Sequence, residues 1–392
     1  MKLAPPAPDA WATAQPHADW EEARARAAVV ACAAPPGLAR EGVCVLRFAE
    51  ADEVLRDAAR FGSGLYAQLQ GEYKGRTLRE LDGALHRRYR GLVAHAFRPA
   101  ALERWEQAFV RPILGELLDA IAPRGRAELV GELTARFPVQ VICGILGLPR
   151  DDVASFLRWS DEINLGPTAP ERGRAASRAM AAYFAPRIAA RRAAPRDDLL
   201  SELVSAELEG ERLDDERVLG FLRLLVPAGA ETTYRMLGTA LLALLEHLEV
   251  LAQLRAEPAR IPAAIEETLR WEGSVTLAMR VATRDTQLGG CPIAAGTPVQ
   301  VALGSANRDA ARWPEASRWD PSREEQRHLA FGAGPHACLG LGLARLELRV
   351  ALEQILERLP GLRLDPDEPA PRLQGYAFRG PDRLPVRFGP RA

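Results

Sequence analysis

The chain has 392 residues, 47% hydrophobic and 26% charged, and its 51 basic against 52 acidic side chains leave a formal net charge of −1. That is ample apolar material for one large or two ordinary domains, and the balance of charge argues against a dedicated nucleic-acid binder. Every base except Lys2 and Lys74 is an arginine, spread along the chain, and no run reaches the roughly 18 to 20 apolar residues of a membrane helix.

The first residues lack the apolar block of a secretion signal, so a soluble cytoplasmic protein without membrane or nucleic-acid partners is expected. Residues 1–19 are Pro-rich and read as an irregular arm. From Trp20 onward apolar positions recur every three or four residues over 50–60, 85–97, 101–121, 131–147, 151–163, 174–192, 214–247, 261–271 and 341–358, which predicts helices. Strand-like patterns fall at Val43 to Phe48, between Met279 and Leu303, and after Leu362. The middle stretch reads as a hairpin with its turn at Cys291-Pro292. No repeat or linker divides the chain, so residues 1–392 are expected to form a single domain, a mainly α body with small β-sheets.

The five cysteines show no Cys-x-x-Cys spacing, which excludes a disulfide framework or a four-cysteine cluster. Cys32, Cys44 and Cys143 sit in apolar runs that suggest packing, whereas Cys338 lies in Phe331-Gly-Ala-Gly-Pro-His-Ala-Cys-Leu-Gly340, just before a helical run. Gly332, Gly334 and Gly340 permit tight turns. Amide donors and a helix N-terminus are then positioned to favour a Cys338 thiolate, a suitable axial ligand for haem iron. Three other readings compete: zinc held by His328, His336 and Cys338, though a fourth ligand is missing; a dinucleotide fingerprint at GLGLAR, though Arg345 replaces its third glycine; and a Cys338 nucleophile with His336 as base.

The loop resembles the haem-binding signature of the cytochrome P-450 monooxygenases, Phe-Gly-x-Gly-x-His-x-Cys-x-Gly, at every specified position. Ala228-Gly-Ala-Glu-Thr-Thr233 resembles the family's oxygen-activating motif, Glu267-Thr-Leu-Arg270 its Glu-x-x-Arg motif, and Ala306-Asn-Arg-Asp309 with Arg318-Trp-Asp-Pro321 its meander. His86-Arg-Arg-Tyr-Arg90 is similar to its third-helix motif, and the likeness runs over about residues 20 to 390.

The resemblance implies a triangular helical fold of the soluble bacterial type, with haem b between the long central helix and the Cys338 loop. Cys338 would be the axial iron ligand, with Phe331, Gly332 and Gly340 around it, and His86, Arg90, Arg280 and His336 would meet the propionates. Ala228 and Gly229 leave room for a flat macrocycle, and Pro227 is expected to kink or open the helix. Glu231 and Thr232 form an acid and alcohol pair suited to relaying protons; alternatively both threonines bond back to carbonyls and Glu231 is solvated. Glu267, Arg270 and Arg318 are expected to form a buried network bracing the loop. Pocket walls are expected from the 61–84 loop, 163–180, the helix up to Ala228, Ser274 to Ala278, and the turn around Tyr376 to Phe378.

The implied reaction inserts one atom of dioxygen into an apolar small molecule, a terpenoid, steroid, fatty acid or polyketide. With no flavin or ferredoxin domain in the chain, electrons would come from a separate ferredoxin and ferredoxin reductase. Peroxide-driven or isomerising haem enzymes, or a haem sensor or electron carrier, are the alternatives; the first pair would not need Glu231 and Thr232.

Overall fold

The computed structural model describes residues 14–34, 37–38, 40–324 and 327–389. Every helix expected from periodicity is present near its expected place, among them Gly83–Ala94, Val153–Asn164, Pro170–Ala193, Ile261–Glu272 and Leu341–Arg358. The stretch expected at 101–121 is one helical path, Pro99–Trp105 and Arg111–Ile121 joined through a π-helical segment Glu106–Val110.

The longest element, Asp215–Glu246, begins at Asp214, whose side chain accepts the Arg217 N–H at 2.8 Å, with Asp215 and Glu216 in its first turn. Its second half is apolar nearly all round, so it can only be a buried core helix. Pro227 leaves the Arg223 carbonyl without its usual donor, yet the helix runs through it as one element. Leu237 and Leu241 of this helix share one large core with Phe137, Leu133, Leu348 and Ile355.

A five-stranded mixed sheet lies to one side, in the order Val29–Cys32, Gly42–Val45, Pro298–Ala302, Leu277–Ala282 and Phe61–Gly62. The strand Pro298–Ala302 runs parallel to Gly42–Val45, with Val299 opposite Val43, and antiparallel to Leu277–Ala282, with Val299 opposite Arg280. A second core beneath this sheet joins Phe61, Val299 and Trp313 to Leu329 and Ala333, so the sheet carries the segment leading into the Cys338 loop.

Three expectations need correction. Cys291-Pro292 is not a turn: it lies in the strand Cys291–Ile293, paired with Thr286–Leu288, and the turn is Gly289-Gly290. A two-residue hairpin turn with φ of 54° and 80° at its centre demands glycine at both positions, which Cys-Pro could not supply. The N-terminal arm is helical over His17–Arg26, because Trp20 and Ala23 bury against the sheet-side core; the remainder of the expected arm, residues 1–13, lies outside the described residues. The 61–84 segment contains a helix, Leu65–Lys74. Among the described residues no single helix is long and apolar enough to cross a membrane.

Candidate functional site

A cavity of about 310 Å³ lies between the central helix and the Cys338 loop. Small-molecule pockets are commonly about 300–1000 Å³, so this one falls in the range of ligand sites. Of the residues expected at the site, Arg90, Ala228, Gly229, Thr232, Arg280, Phe331, Gly332, His336, Cys338 and Gly340 all line it. His86 and Glu231 stand one layer behind.

The loop is shaped by backbone constraints that sequence spacing alone only suggests. Gly332 and Gly334 have φ of 68° and 69°, and a Cβ on Gly334 would lie 2.4 Å from the Leu55 carbonyl oxygen, so a side chain there would push the loop off the helix Phe48–Arg56. The Cys338 N–H donates to the Phe331 carbonyl at 2.8 Å, closing the loop. Burial raises the Cys338 thiol above its ordinary value, opposed by a Gly340 N–H and by the charges of Arg90 and Arg345. Thiolate formation therefore needs a bound cation as well as the loop, as a coordinated metal supplies.

On the propionate side, the His86 ring is 1% exposed and packs 4.1 Å from the His336 ring. Both His86 ring nitrogens are buried without a hydrogen-bond partner. Burial, with His336 and Arg90 nearby, lowers its pKa to about 4, so it is a neutral imidazole with one N–H to donate. His336 is held by Asp82 at 3.0 Å, and Asp82 in turn accepts the Ser63 N–H at 2.7 Å. Arg280, 4% exposed, donates to its neighbouring Met279 carbonyl at 2.8 Å and lies beside the Tyr66 hydroxyl. Orphaned imidazole nitrogens beside buried guanidinium groups around an apolar slot suit two carboxylates and a flat apolar ring, which is the chemistry of haem. The zinc reading is not assembled, because His328 faces Glu266 and His336 faces Asp82.

Thr232 Oγ1 donates back to the Ala228 carbonyl at 2.9 Å, while Glu231 is not solvated. The Glu231 side chain is 4% exposed and accepts from Asn164 Nδ2 at 2.5 Å and from Arg235 Nη2 at 2.9 Å. Lys74 Nζ donates to Asn164 Oδ1 at 2.9 Å, so a polar chain runs from Glu231 to helix 65–74. Beside it, burial and the Glu231 charge push the Asp161 carboxyl up to about 7. A second buried acid, Glu347, lines the cavity from helix 341–358, and burial drives its pKa far up against a hydrogen bond from Thr233. Lys74, Asp161, Asn164 and Glu347 were not legible as site residues, because their partners lie on other helices.

The brace beneath the loop is centred on Glu267 and Arg270, joined by two bonds of 2.7 Å. Arg270 also donates to the carbonyls of Asn307 at 2.9 Å and Ala316 at 2.8 Å, and Asn307 Oδ1 accepts the Leu329 N–H at 2.7 Å, which carries the brace to the loop. The expected third member is wrong. The Arg318 side chain is 64% exposed and pairs with Glu315 and Asp320, contributing to the network only its carbonyl, while Arg323 reaches Glu267 at 3.4 Å. The physical reason is the turn at 318–323, which directs the Arg318 side chain outward and folds Arg323 back over Pro314 and Glu315. An adjoining cluster went unseen in sequence: Glu272 binds His17 at 2.9 Å, Arg379 at 2.6 Å and Arg308 at 2.7 Å.

The expected pocket walls are partly met. Tyr66 and Leu78, Leu224 and Leu225, and Ser274, Val275, Leu277 and Ala278 line the cavity, whereas no residue of 163–180 or 376–378 does. Those two segments pack behind the wall, Tyr376 against Trp20 and Met180 in the main core.

Comparison with known proteins agrees with this arrangement. The family model described as Cytochrome P450 matches residues 174–375. The chain is 41% identical over 315 residues to a mycinamicin IV hydroxylase/epoxidase of Micromonospora griseorubida, covering 79% of each. It is 37% identical over 318 residues to a steroid C26-monooxygenase of Mycobacterium tuberculosis, covering 79% of this chain and 85% of that one. A solved cytochrome P450 from Chondromyces apiculatus superposes with a TM-score of 0.87 at 33% identity, over 100% of this chain and 99% of that one.

Proposed function

The chain belongs to the cytochrome P450 family and is a monooxygenase; from that premise we propose that it binds haem b through Cys338 and hydroxylates or epoxidises a bulky apolar small molecule. The observation that carries this reading is the cavity that places Cys338, Thr232 and the under-partnered His86, Arg90 and Arg280 around one apolar slot. Relatives named for mycinamicin IV and for a steroid support a bulky substrate, and the predominantly apolar lining supports an apolar one.

Bound haem supplies the iron at which dioxygen is activated, with electron donation from a Cys338 thiolate. The protein supplies the rest. Arg90 and Arg280 would neutralise the propionates, His86 would donate an N–H to one of them, and Ala228 and Gly229 leave room for the ring beside the central helix. Leu224, Leu225, Leu277 and Ala278 exclude water and hold the substrate's apolar surface. Thr232 holds a hydroxyl proton at the cavity wall, and Glu231, one residue behind it and held in place by Asn164 and Arg235, is the neighbouring carboxyl group able to exchange protons. Glu267, Arg270 and Arg323 act structurally.

Electrons come from redox partners, as for bacterial P450s; a separate ferredoxin and ferredoxin reductase fit this chain best. The exposed Arg87, Arg98 and Arg104 support docking of an acidic iron–sulfur protein. Arg88 is also exposed but pairs with Glu209, and Arg345 is already held by Glu266 at 2.6 Å.

The test is the carbon monoxide difference spectrum of the reduced protein and of Cys338→Ala, with haem content measured alongside. The wild type should show the red-shifted band of thiolate-ligated haem and the variant should lose it. A variant that keeps the band would show that another residue ligates the iron.

A further inference from the structure

The cavity is lined by three arginines, Arg79, Arg90 and Arg280, whereas a haem presents two carboxylates. Arg90 and Arg280, with the orphaned His86, meet those two. Arg79 remains. It enters the cavity from the segment after helix 65–74, a different element from those bearing the other two.

The partners of Arg79 are all neutral. Its Nη1 donates to Gln70 Oε1 at 3.0 Å and its guanidinium carbon sits 3.9 Å from the centre of the Tyr66 ring. The adjacent carboxylate, Glu80, is occupied elsewhere, accepting the Thr77 N–H and hydroxyl, each at 2.6 Å. Among the described residues Arg79 makes no ion pair. A half-buried guanidinium compensated only by a tyrosine ring and neutral acceptors still has charge and donors to offer an anion at this apolar wall.

The neighbours register the uncompensated charge. Burial pushes the Tyr66 phenol up, yet Arg79 and Arg280 outweigh it and hold Tyr66 below its ordinary value. Burial, and then the Arg79 charge, pull Lys74 down to about 7. This end of an otherwise apolar cavity therefore carries a positive potential. A guanidinium presents a planar fork of donors that matches a carboxylate with two parallel bonds.

We propose that Arg79 is the anchor for the carboxylate of an apolar monocarboxylic acid, and that this contact fixes which end of the substrate faces the Cys338 loop. The inference rests on the haem-thiolate reading above and narrows it from apolar molecules in general to amphiphilic acids. It assigns Arg79 a specificity role toward substrate and none toward haem.

The experiment compares dodecanoic acid, lithocholic acid and abietic acid with their methyl esters on the purified holoenzyme, by calorimetry and by the shift of the haem absorption band. Wild type, Arg79→Lys and Arg79→Leu are measured, with haem content recorded for each. At least one acid should bind wild type about 10- to 100-fold more tightly than its ester, the range expected for a charged hydrogen-bonded contact. Arg79→Leu should erase that ratio while keeping full haem content and the carbon monoxide band, and Arg79→Lys should keep part of it.

Acids and esters bound equally by wild type, no acid bound at all, or an unchanged ratio in Arg79→Leu would each overturn the proposal. So would loss of haem from Arg79→Leu, which would make Arg79 a third propionate ligand. Failure of the haem-thiolate reading itself is distinguishable, because wild type would then lack the carbon monoxide band whatever the acids did.

Discussion

Two buried polar regions of this molecule are built on opposite terms. Beneath the Cys338 loop, Glu267 and Arg270, and Glu272 with His17, Arg308 and Arg379, have charge paired with charge and most remaining donors given to carbonyls. Around the cavity, among the described residues, both His86 ring nitrogens lack a partner, Arg280 has a neighbouring carbonyl and the Tyr66 hydroxyl, Arg79 only neutral groups, and Asp161 Oδ1 nothing. Saturated polar networks fix one arrangement, whereas unsaturated ones are positioned to receive a ligand or a proton. The lesson is that burial of charge alone does not mark a site; under-partnered groups gathered at one cavity do.

The largest test of this contrast is Arg270→Leu, which leaves the buried Glu267 carboxylate with Arg323, at 3.4 Å, as its remaining cationic partner. It should cost about 3–5 kcal/mol in denaturant unfolding. Arg318→Ala, by contrast, should change stability by no more than about 0.5 kcal/mol, as at other exposed positions. Equal losses in the two would restore Arg318 to the network and contradict its outward placement.

On the unsaturated side, Thr232→Ala should leave folding and haem content intact and lower the product formed per electron consumed by about tenfold or more, within the range of lost proton transfer. Glu231→Gln should act in the same direction, and Thr233→Ala less. Measured coupling that is unchanged in Thr232→Ala would leave the back-bond to Ala228 as that residue's whole role.

The regions should also differ in pH response. Burial raises Glu272, but His17, Arg308 and Arg379 outweigh that and hold it well below the ordinary carboxylate range. The stability it gives is present above about pH 4.5 and is lost as pH falls below that. Asp161, pushed up to about 7, works the other way: its folded form keeps a proton that the unfolded chain releases near pH 4, so stability falls as pH rises from about 4 to 7. Unfolding free energies of Asp161→Asn should lack that decline, a difference on the order of 1–3 kcal/mol at neutral pH. Lys74, pulled down to about 7, gives a rising slope above neutrality that Lys74→Met should remove.

The smallest effect is expected at the surface, where Arg87→Glu with Arg88→Glu should slow the first reduction by a ferredoxin severalfold at low salt. The difference should fade as the screening length shrinks from about 10 Å at 0.1 M. Substrate affinity should not move. Stopped-flow rates with an unchanged salt slope would place docking on another face.

Short-range pattern in the sequence was enough for the helical body, for the Cys338 loop with its obligatory glycines, and for the pairing of Glu267 with Arg270, because in each the interacting groups lie within a few residues and the backbone geometry is local. The Gly289-Gly290 turn was legible in principle, and was missed because a proline two residues on is also a turn signal. What only the tertiary structure decided are contacts between elements distant in the chain: Asp82 on His336, Asn164 and Lys74 behind Glu231, and Glu272 joining residues from both ends of the chain. The choice of Arg323 over Arg318 belongs with these, since it depends on how one turn lies against a helix 50 residues earlier in the chain, on the order of the separation between Arg270 and Arg318. Side-chain partners across such separations are set by where packing of the apolar faces brings the chain back. Periodicity shows which face is buried and leaves open which charge will meet it there.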